Sequence, residues 1–286
     1  MVIKMNNVYL HFKKNNLNIL YLISIILLVI YGFYKNGILI YNELNGNIIN
    51  LFRPITFSIF SVIPAFIFQF IKNRKMSIDN NIIYILIFSL CVPINMNIGI
   101  YFIYSIIVNL LLYFVIPKYS LNINYISLFK IIIIILLKII KQYEYANSLE
   151  KISKYSYNLL DIFFGRGISG VCCSSIFLIL ISYAIFTSNS YYKKEIPVIS
   201  ISVYFIISLA LKLLLGKVII INSLIIYSLI FIAPISSMSP VGMKERKIYS
   251  LVLGILTFIF TYYFSQFDGV IYAIFISSFI NYLNLN

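Results

Sequence analysis

Apolar runs separated by short polar stretches dominate the chain. A helix needs about 20 apolar residues to cross ~30 Å of hydrocarbon, and most of the runs approach that length. The pattern therefore predicts an all-α polytopic membrane protein with about ten transmembrane helices. The predicted spans are 17–34, 48–71, 81–93, 98–117, 123–140, 168–187, 196–214, 218–234, 248–264 and 268–283.

The third and eighth runs are weaker than the others. Run 81–93 is short for a bilayer, and run 218–234 ends in the Pro- and Ser-containing stretch 233–237. Short or interrupted segments at corresponding places in two halves are typical of discontinuous helices in an internal repeat. We therefore expect two inverted five-helix repeats with broken third and eighth segments.

The distribution of Lys and Arg between the loops predicts the orientation. With the N-terminus inside, inner segments carry twelve of these residues and outer loops carry seven. Cytoplasmic loops carry the excess of basic residues, so both termini are expected in the cytoplasm. The predicted parts are a cytoplasmic N-terminal segment (1–16), a first five-helix half (17–140), an external loop (141–167) and a second five-helix half (168–286).

Composition supports lipid as the solvent of this chain. Apolar residues make up 62% of it and charged residues 10%, whereas soluble domains carry about 25% charged residues. The net charge of +14 would also suit a nucleic-acid-binding protein. The basic residues, however, lie in loops between apolar runs, where they set topology. We therefore expect a bilayer partner and no nucleic acid.

Catalytic and metal-binding groups are scarce. His11 is the single histidine and precedes the first span, so no Ser-His-Asp or His-metal cluster is expected. Cys91, Cys172 and Cys173 form no CxxC pattern and lie in apolar context, which favours a role as small apolar side chains. The sequence predicts no catalytic residue and no metal site.

Three basic residues fall within or near the predicted spans. Charge inside a bilayer is costly and often functional. Arg53 and Lys138 lie close to span ends, and Lys130 lies near the start of its run. We therefore expect all three side chains to extend towards the membrane interface, with a functional site inside the span as the alternative interpretation.

A glycine-rich stretch opens the sixth predicted span. It reads FFGRGISGVCCSS at 163–175, with Gly165, Arg166, Gly167 and Gly170 close together. Backbone N–H groups at a glycine-rich helix start can bind a phosphate. Small residues also allow close helix packing, and spacing alone leaves both interpretations open.

The segment FIAPISSMSPVGMKERKIYS (231–250) resembles the D subunit of Rnf electron-transport complexes. That family is related to the B subunit of sodium-translocating NADH:quinone reductase. Further stretches fit the same family: LLDIFFG at 159–165, EIPV at 195–198 and DGVIYAIF at 268–275. The similarity is strong from 159 to 281 and weak before.

The resemblance implies ten spans with cytoplasmic termini in a bacterial cytoplasmic (plasma) membrane. It implies a complex with other membrane and peripheral subunits. In such a complex electrons pass between ferredoxin or NADH and an acceptor while Na⁺ or H⁺ crosses the membrane. The chain would be a part of that translocase, and the complex would be the enzyme.

The chain departs from the family at its flavin site. The family esterifies FMN through a Thr of the external loop, and Asn147 of the stretch YANSL (145–149) takes its place. Asn cannot form that ester, and the hydroxyl of the next residue is out of register. FMN, if bound, is therefore expected to be non-covalent, with the expected contacts at Ser148, Gly165, Arg166, Gly167 and Gly170.

Two other functions remain open. One is a permease or channel with the same inverted-repeat architecture. The other is a redox-inactive scaffold subunit, which the replacement of the family's Thr-Asp pair by Pro234-Ile235 favours. The external loop 141–167 distinguishes them, because only a redox subunit needs flavin-phosphate contacts there.

Overall fold

A computed structural model describes residues 2–39, 48–74, 77–93, 96–119, 123–141, 159–165, 169–216 and 220–283. Within these ranges the regular structure is helical, and β-pairing is limited to one bridge between Pro93 and Gly170. The prediction of an all-α protein is therefore confirmed for the described part of the chain.

The regular structure of the described chain consists of α-helices and π-helical turns. The α-helices are α1 (Val2–Gly32), α2 (Ile48–Leu51), α3 (Arg53–Asn73), α4 (Asn80–Leu90), α5 (Ile98–Leu110), α6 (Ile116–Tyr119), α7 (Tyr125–Ile139), α8 (Leu159–Phe164), α9 (Ile176–Thr187), α10 (Glu195–Leu215), α11 (Ser223–Tyr227), α12 (Met243–Tyr263) and α13 (Gly269–Leu283). Three π-helical turns, Phe33–Leu39, Leu111–Val115 and Ser228–Ile232, continue α1, α5 and α11.

Short polar side chains fix where several helices begin. An N-cap oxygen accepts a hydrogen bond from a backbone N–H of the first turn, which has no partner inside the helix. The apolar runs therefore become helical directly after these residues. The capping side chains are Asp79 for α4, Asn97 for α5, Asn124 for α7, Ser175 for α9 and Asn222 for α11.

Within the described ranges, four helical segments are long and apolar enough to cross a membrane. They are Asn16–Ile38, Arg53–Asn73, Ile98–Val115 and Glu195–Leu214. Shorter apolar helices accompany them at Asn80–Leu90, Ile176–Thr187, Ser223–Ile232 and Gly269–Phe279. These lengths and compositions identify a helical membrane protein.

Two helix starts differ from the predicted spans. The second long helix begins at Arg53 rather than at 48, because Pro54 occupies its first turn, where no N–H donor is needed. The sixth span was expected from 168, but α9 begins at Ile176 and residues 169–175 are irregular. The middle of this stretch, residues 171–173, is apolar, so the apolar run alone does not reveal the helix start.

The helix α12 has one face buried in the core and one face exposed. Tyr249, Leu253 and Gly254 are buried on one side, against α10 and α13. Ile248 and Ile255 are exposed on the other side. Apolar residues on both sides of a helix are expected where lipid or another membrane subunit replaces water.

Candidate functional site

The structure describes two of the five predicted cofactor-binding residues, Gly165 and Gly170. The other three, Ser148, Arg166 and Gly167, lie outside the described residues, as does Asn147. The phosphate contacts expected of those residues therefore stay a prediction.

Gly165 ends α8 and lies against α1. Its φ of +97° is a left-handed conformation that favours glycine. A Cβ on Gly165 would lie 2.7 Å from a ring carbon of Tyr31 and 2.9 Å from the Cα of Ser175. The Tyr31 hydroxyl also donates a hydrogen bond to the carbonyl oxygen of Phe164. Close packing therefore accounts for this glycine.

Gly170 lies where two irregular segments meet, residues 91–93 after α4 and residues 169–175 before α9. We call these two segments the central junction. The Val171 N–H donates to the Val92 carbonyl at 2.9 Å, and the Cys172 N–H donates to the Leu90 carbonyl at 3.1 Å. A Cβ on Gly170 would lie 2.9 Å from the Cys91 carbonyl carbon. Glycine permits this close approach of two backbones.

Asn36 connects the π-helical turn Phe33–Leu39 to the central junction by a hydrogen bond. Its Nδ2 donates to the Val171 carbonyl oxygen at 2.5 Å, and the side chain is 2% exposed. Irregular backbone at membrane depth is tolerated where protein groups satisfy its polar atoms. The side chain of Asn36 and the pairing of the two segments meet that requirement here.

Charged side chains surround the central junction. Lys130 is fully buried on α7, and its ammonium donates to the carbonyl oxygen of Cys91. The expectation that Lys130 extends to the interface is therefore wrong, whereas Lys138 on the same helix is exposed. Lys35, which follows α1, is 1% exposed, and Asp268 is buried before α13. Sequence reasoning missed Lys35, because its position after an apolar run resembles an external loop.

The three cysteines belong to the central junction as buried, free thiols. Cys91, Cys172 and Cys173 are each fully buried and form no disulfide. Within the described residues no group of three or more His, Cys, Asp or Glu side chains could hold a metal ion. These thiols fill space among closely packed backbones, as expected for cysteines in an apolar setting.

A second irregular segment, residues 233–240, follows the π-helical turn Ser228–Ile232. We call it the second break. Lys193, in the loop before α10, donates to the carbonyl oxygens of Ser236 (3.0 Å) and Ser239 (2.7 Å) and to the Ser239 hydroxyl (2.8 Å). The Tyr84 and Ser237 hydroxyls lie 2.6 Å apart and connect α4 to the same segment. Side chains from both halves thus hold the second break in place.

Electrostatics at the second break centre on Lys193. Burial lowers the pKa of its ammonium to about 7, and the positive charge of Arg246 acts in the same direction. Arg246 itself pairs with Glu195 at 3.7 Å, and both side chains are partly exposed. The second break therefore lies beside two basic side chains, Lys193, which is buried, and Arg246, which is partly exposed.

Polar side chains also lie where α3 and the start of α4 meet α5 and its π-helical turn. The Tyr113 hydroxyl donates to both carboxylate oxygens of Asp79, at 3.0 and 3.1 Å, and Lys72 donates to the Tyr113 carbonyl at 2.7 Å. Further along, Asn109 donates to the Ser61 carbonyl at 3.2 Å. The Oδ1 atom of Asn109 is buried without a hydrogen-bond partner. Polar side chains therefore line this part of the apolar bundle.

Together these features place buried ammonium groups, amides and hydroxyls on irregular backbone between half-length helices. Such arrangements suit binding and ion-handling proteins of the membrane better than nucleophilic enzymes. The model of the NQR2, RnfD, RnfE family matches residues 8–283, a range that includes the central junction and the second break. A search of curated proteins gave no significant match.

Proposed function

Because this chain belongs to the NQR2, RnfD, RnfE family, we propose that it is a membrane subunit of an Rnf-type ion-translocating oxidoreductase complex. Its proposed partners are other membrane subunits and peripheral redox subunits. The observation that carries the proposal is the family match over residues 8–283, which spans nearly the whole chain. The complex, rather than this subunit alone, would couple electron transfer to the movement of Na⁺ or H⁺.

The proposed topology is ten spans in two inverted five-helix halves, 17–140 and 168–286. Helix contacts support it. The second helix of each half packs most extensively on the fourth, α3 on α5 and α10 on α12. Equivalent helices also meet between the halves: α1 contacts α9, and α7 contacts α13. A two-fold relation between the halves would produce this pattern of contacts.

Two buried lysines add to this support. Lys35 follows the first helix of one half, and Lys193 follows the first helix of the other. Each comes directly after a tyrosine, Tyr34 or Tyr192, and the two lysines are 1% and 4% exposed. A buried lysine is uncommon, so its recurrence near the C-terminal end of the first helix of each half favours an internal repeat.

The proposed orientation has both termini in the cytoplasm of a bacterial cell and the loop 141–167 outside. It rests on the excess of basic residues in the inner segments, twelve against seven. The order of the parts then follows the chain: the N-terminal segment 1–16, the first half, the external loop and the second half.

The proposed flavin contact is non-covalent. Protein atoms already fill the space beside Gly165 and Gly170, so the described glycines offer no open phosphate cradle. Any flavin phosphate would have to be held by Ser148 or by Arg166 and Gly167, of which Arg166 supplies a charge-assisted donor. A redox-inactive scaffold is the second candidate function, because Asn147 removes the family's attachment hydroxyl.

Purification from the native membrane tests the proposed function. A tag on this chain and a mild detergent should recover it with other membrane subunits and with iron–sulfur and flavin proteins in fixed ratio. A chain that purifies alone and moves a solute into liposomes by itself would indicate a permease. If the other subunits still transfer electrons after this chain has been removed, the chain is a scaffold.

A further inference from the structure

Two lysines at the start of α12 carry positive charge that the described chain does not neutralise. Lys244 and Lys247 are exposed, and within the described ranges neither ammonium has an ion pair or a hydrogen-bond partner. The nearby acidic side chains are engaged elsewhere. Glu245 accepts a hydrogen bond from the backbone N–H of the helix's N-cap residue at 3.3 Å, and Glu195 pairs with Arg246 at 3.7 Å. A surplus of positive charge therefore remains at this end of the helix.

This charge does not stabilise the helix itself. The N-terminal end of a helix carries partial positive charge, which disfavours basic side chains in the first turns. Lys244, Arg246 and Lys247 nevertheless lie among the first five residues of α12. Lys194, which precedes α10, adds an exposed ammonium, and the ion pair of Arg246 with Glu195 joins the starts of the two helices. An anion bound at this place would relieve the repulsion between these charges.

Exposed apolar side chains follow the two lysines along the same face of α12. We call them the apolar stripe: Ile248, Leu251, Ile255 and Ile259. They are between 37% and 54% exposed, and their spacing of three or four residues places them on one face of a helix. Lys244 and Lys247 each lie one turn before a member of the stripe. From Lys247 to Ile259 the helix rises about 18 Å, close to half of the ~30 Å hydrocarbon thickness.

A phospholipid has the same two parts, a charged head group and acyl chains that span about one leaflet. We propose that Lys244 and Lys247 bind the phosphate of an anionic phospholipid whose acyl chain lies along the apolar stripe. Clusters of basic residues at the end of a membrane helix attract anionic lipid. A soluble acidic protein would match the lysines but leave the stripe uncovered. A membrane subunit would need an acidic group placed at the head of an apolar helix.

A bound lipid would lie beside the second break. Arg246, between the two lysines, donates to the Pro240 carbonyl of that segment at 3.4 Å. The lipid would therefore stabilise the turn as well as the start of α12. The orientation proposed above puts this end in the cytoplasmic leaflet, whose surface is negative because of anionic lipids. Binding itself needs only the lysines and the stripe, and it holds for either orientation and for any complex.

Thermal unfolding of the purified full-length chain in detergent tests the proposal. The two lipids added are dioleoylphosphatidylglycerol, which is anionic, and dioleoylphosphatidylcholine, which is zwitterionic and has the same acyl chains. The quantity compared is the extra rise in midpoint given by the anionic lipid, and for the wild type we expect several degrees. Inorganic phosphate and dihexanoylphosphatidylglycerol should give little of this rise, because neither covers the apolar stripe.

The variants Lys244→Gln and Lys247→Gln should each lose at least half of the extra rise. Both should fold, because these side chains are exposed and have no partner within the described ranges. The matched control is Lys212→Gln, which removes the same charge from an exposed lysine in the last turn of α10 and should keep the rise. The double variant Lys244→Arg with Lys247→Arg retains both charges and should also keep most of it.

Three results would overturn the proposal. Equal rises with both lipids in the wild type would exclude anionic lipid and favour an acidic protein as the partner. Equal losses in Lys212→Gln and in the two α12 variants would show that the net charge of the chain, rather than this site, controls the response. A full rise with inorganic phosphate or with the short-chain lipid would show that the apolar stripe holds no acyl chain.

Discussion

At the scale of single residues, the proposal of non-covalent flavin depends on Asn147, which takes the place of the esterified Thr in the resemblance to the Rnf D subunit. A phosphoester requires a side-chain hydroxyl at the attachment point, and an amide cannot supply one. We therefore expect no flavin fluorescence in a gel of the denatured, purified chain. A fluorescent band that disappears in the variant Ser148→Ala would contradict this prediction.

Lys193 makes the free energy of unfolding depend on pH. The pKa of its ammonium is about 7 in the folded chain and 10.5 ordinarily, so between these values the unfolded chain binds the proton and the folded chain releases it. The free energy of unfolding should therefore rise from pH 7 towards pH 10 through this group. The measurement is the unfolding midpoint at pH 7 and pH 9.

The variant Lys193→Met should flatten that rise, whereas Lys194→Met should keep it. Arg246 lies on α12 and Glu195 on α10, beside Lys193, and both remain in the two variants. An unchanged slope in Lys193→Met would show that another group controls the pH response.

The sequence identified charged residues near the spans but not their surroundings. Lys138 is exposed as expected, but Lys130, eight residues earlier on the same helix, is buried on a backbone carbonyl. Hydropathy reports how costly a charge is in lipid and carries no information on a partner distant in sequence. Cys91, the partner of Lys130, belongs to another segment, so only the tertiary structure reveals the pair.

At the scale of elements, close backbone approach holds the second half together. A Cβ on Gly254 would lie 2.8 Å from the Ser200 carbonyl oxygen and 2.7 Å from the Val203 Cβ. The variant Gly254→Ala should separate α10 from α12 at a cost of about 1–3 kcal/mol. The measurement is a lower thermal midpoint in detergent.

Gly99→Ala is the matched control, because its Cβ would meet a single side-chain atom at 3.3 Å, in the first turn of α5. It should leave the midpoint nearly unchanged. A midpoint of Gly254→Ala no lower than that of Gly99→Ala would show that the close contact between α10 and α12 does not limit stability.

The element boundaries illustrate the limits of sequence patterns. The run at 81–93 was recognised as short, and α4 indeed ends at Leu90. In the run at 168–187 the glycine-rich stretch is consistent with a helix start, and the irregular residues Val171, Cys172 and Cys173 are as apolar as a helix interior. Their backbone is paired with residues 90–92 of another segment, a long-range contact that local periodicity cannot show.

At the scale of the whole molecule, the proposed topology places the loop 141–167 outside and both termini inside. The prediction follows from the basic residues, which resist translocation across the bilayer. A reporter that is active only in the cytoplasm should be active when fused after Asn286. Activity of a reporter that works only outside the cell would reverse the orientation.

Family membership also belongs to this scale, because it rests on a match along residues 8–283 rather than on any one site. The sequence alone suggested this family through the segment 231–250, which includes the whole second break. The structure adds the polar groups that hold that segment, Lys193 and Tyr84 among them.

The central claim is that this chain serves a redox-driven ion pump. The most direct measurement is ion uptake into inverted membrane vesicles, driven by ferredoxin or NADH oxidation, with and without the chain. The proposal predicts that uptake is lost when the chain is deleted and returns when it is supplied from a plasmid. Uptake that continues unchanged in vesicles lacking the chain would contradict the claim.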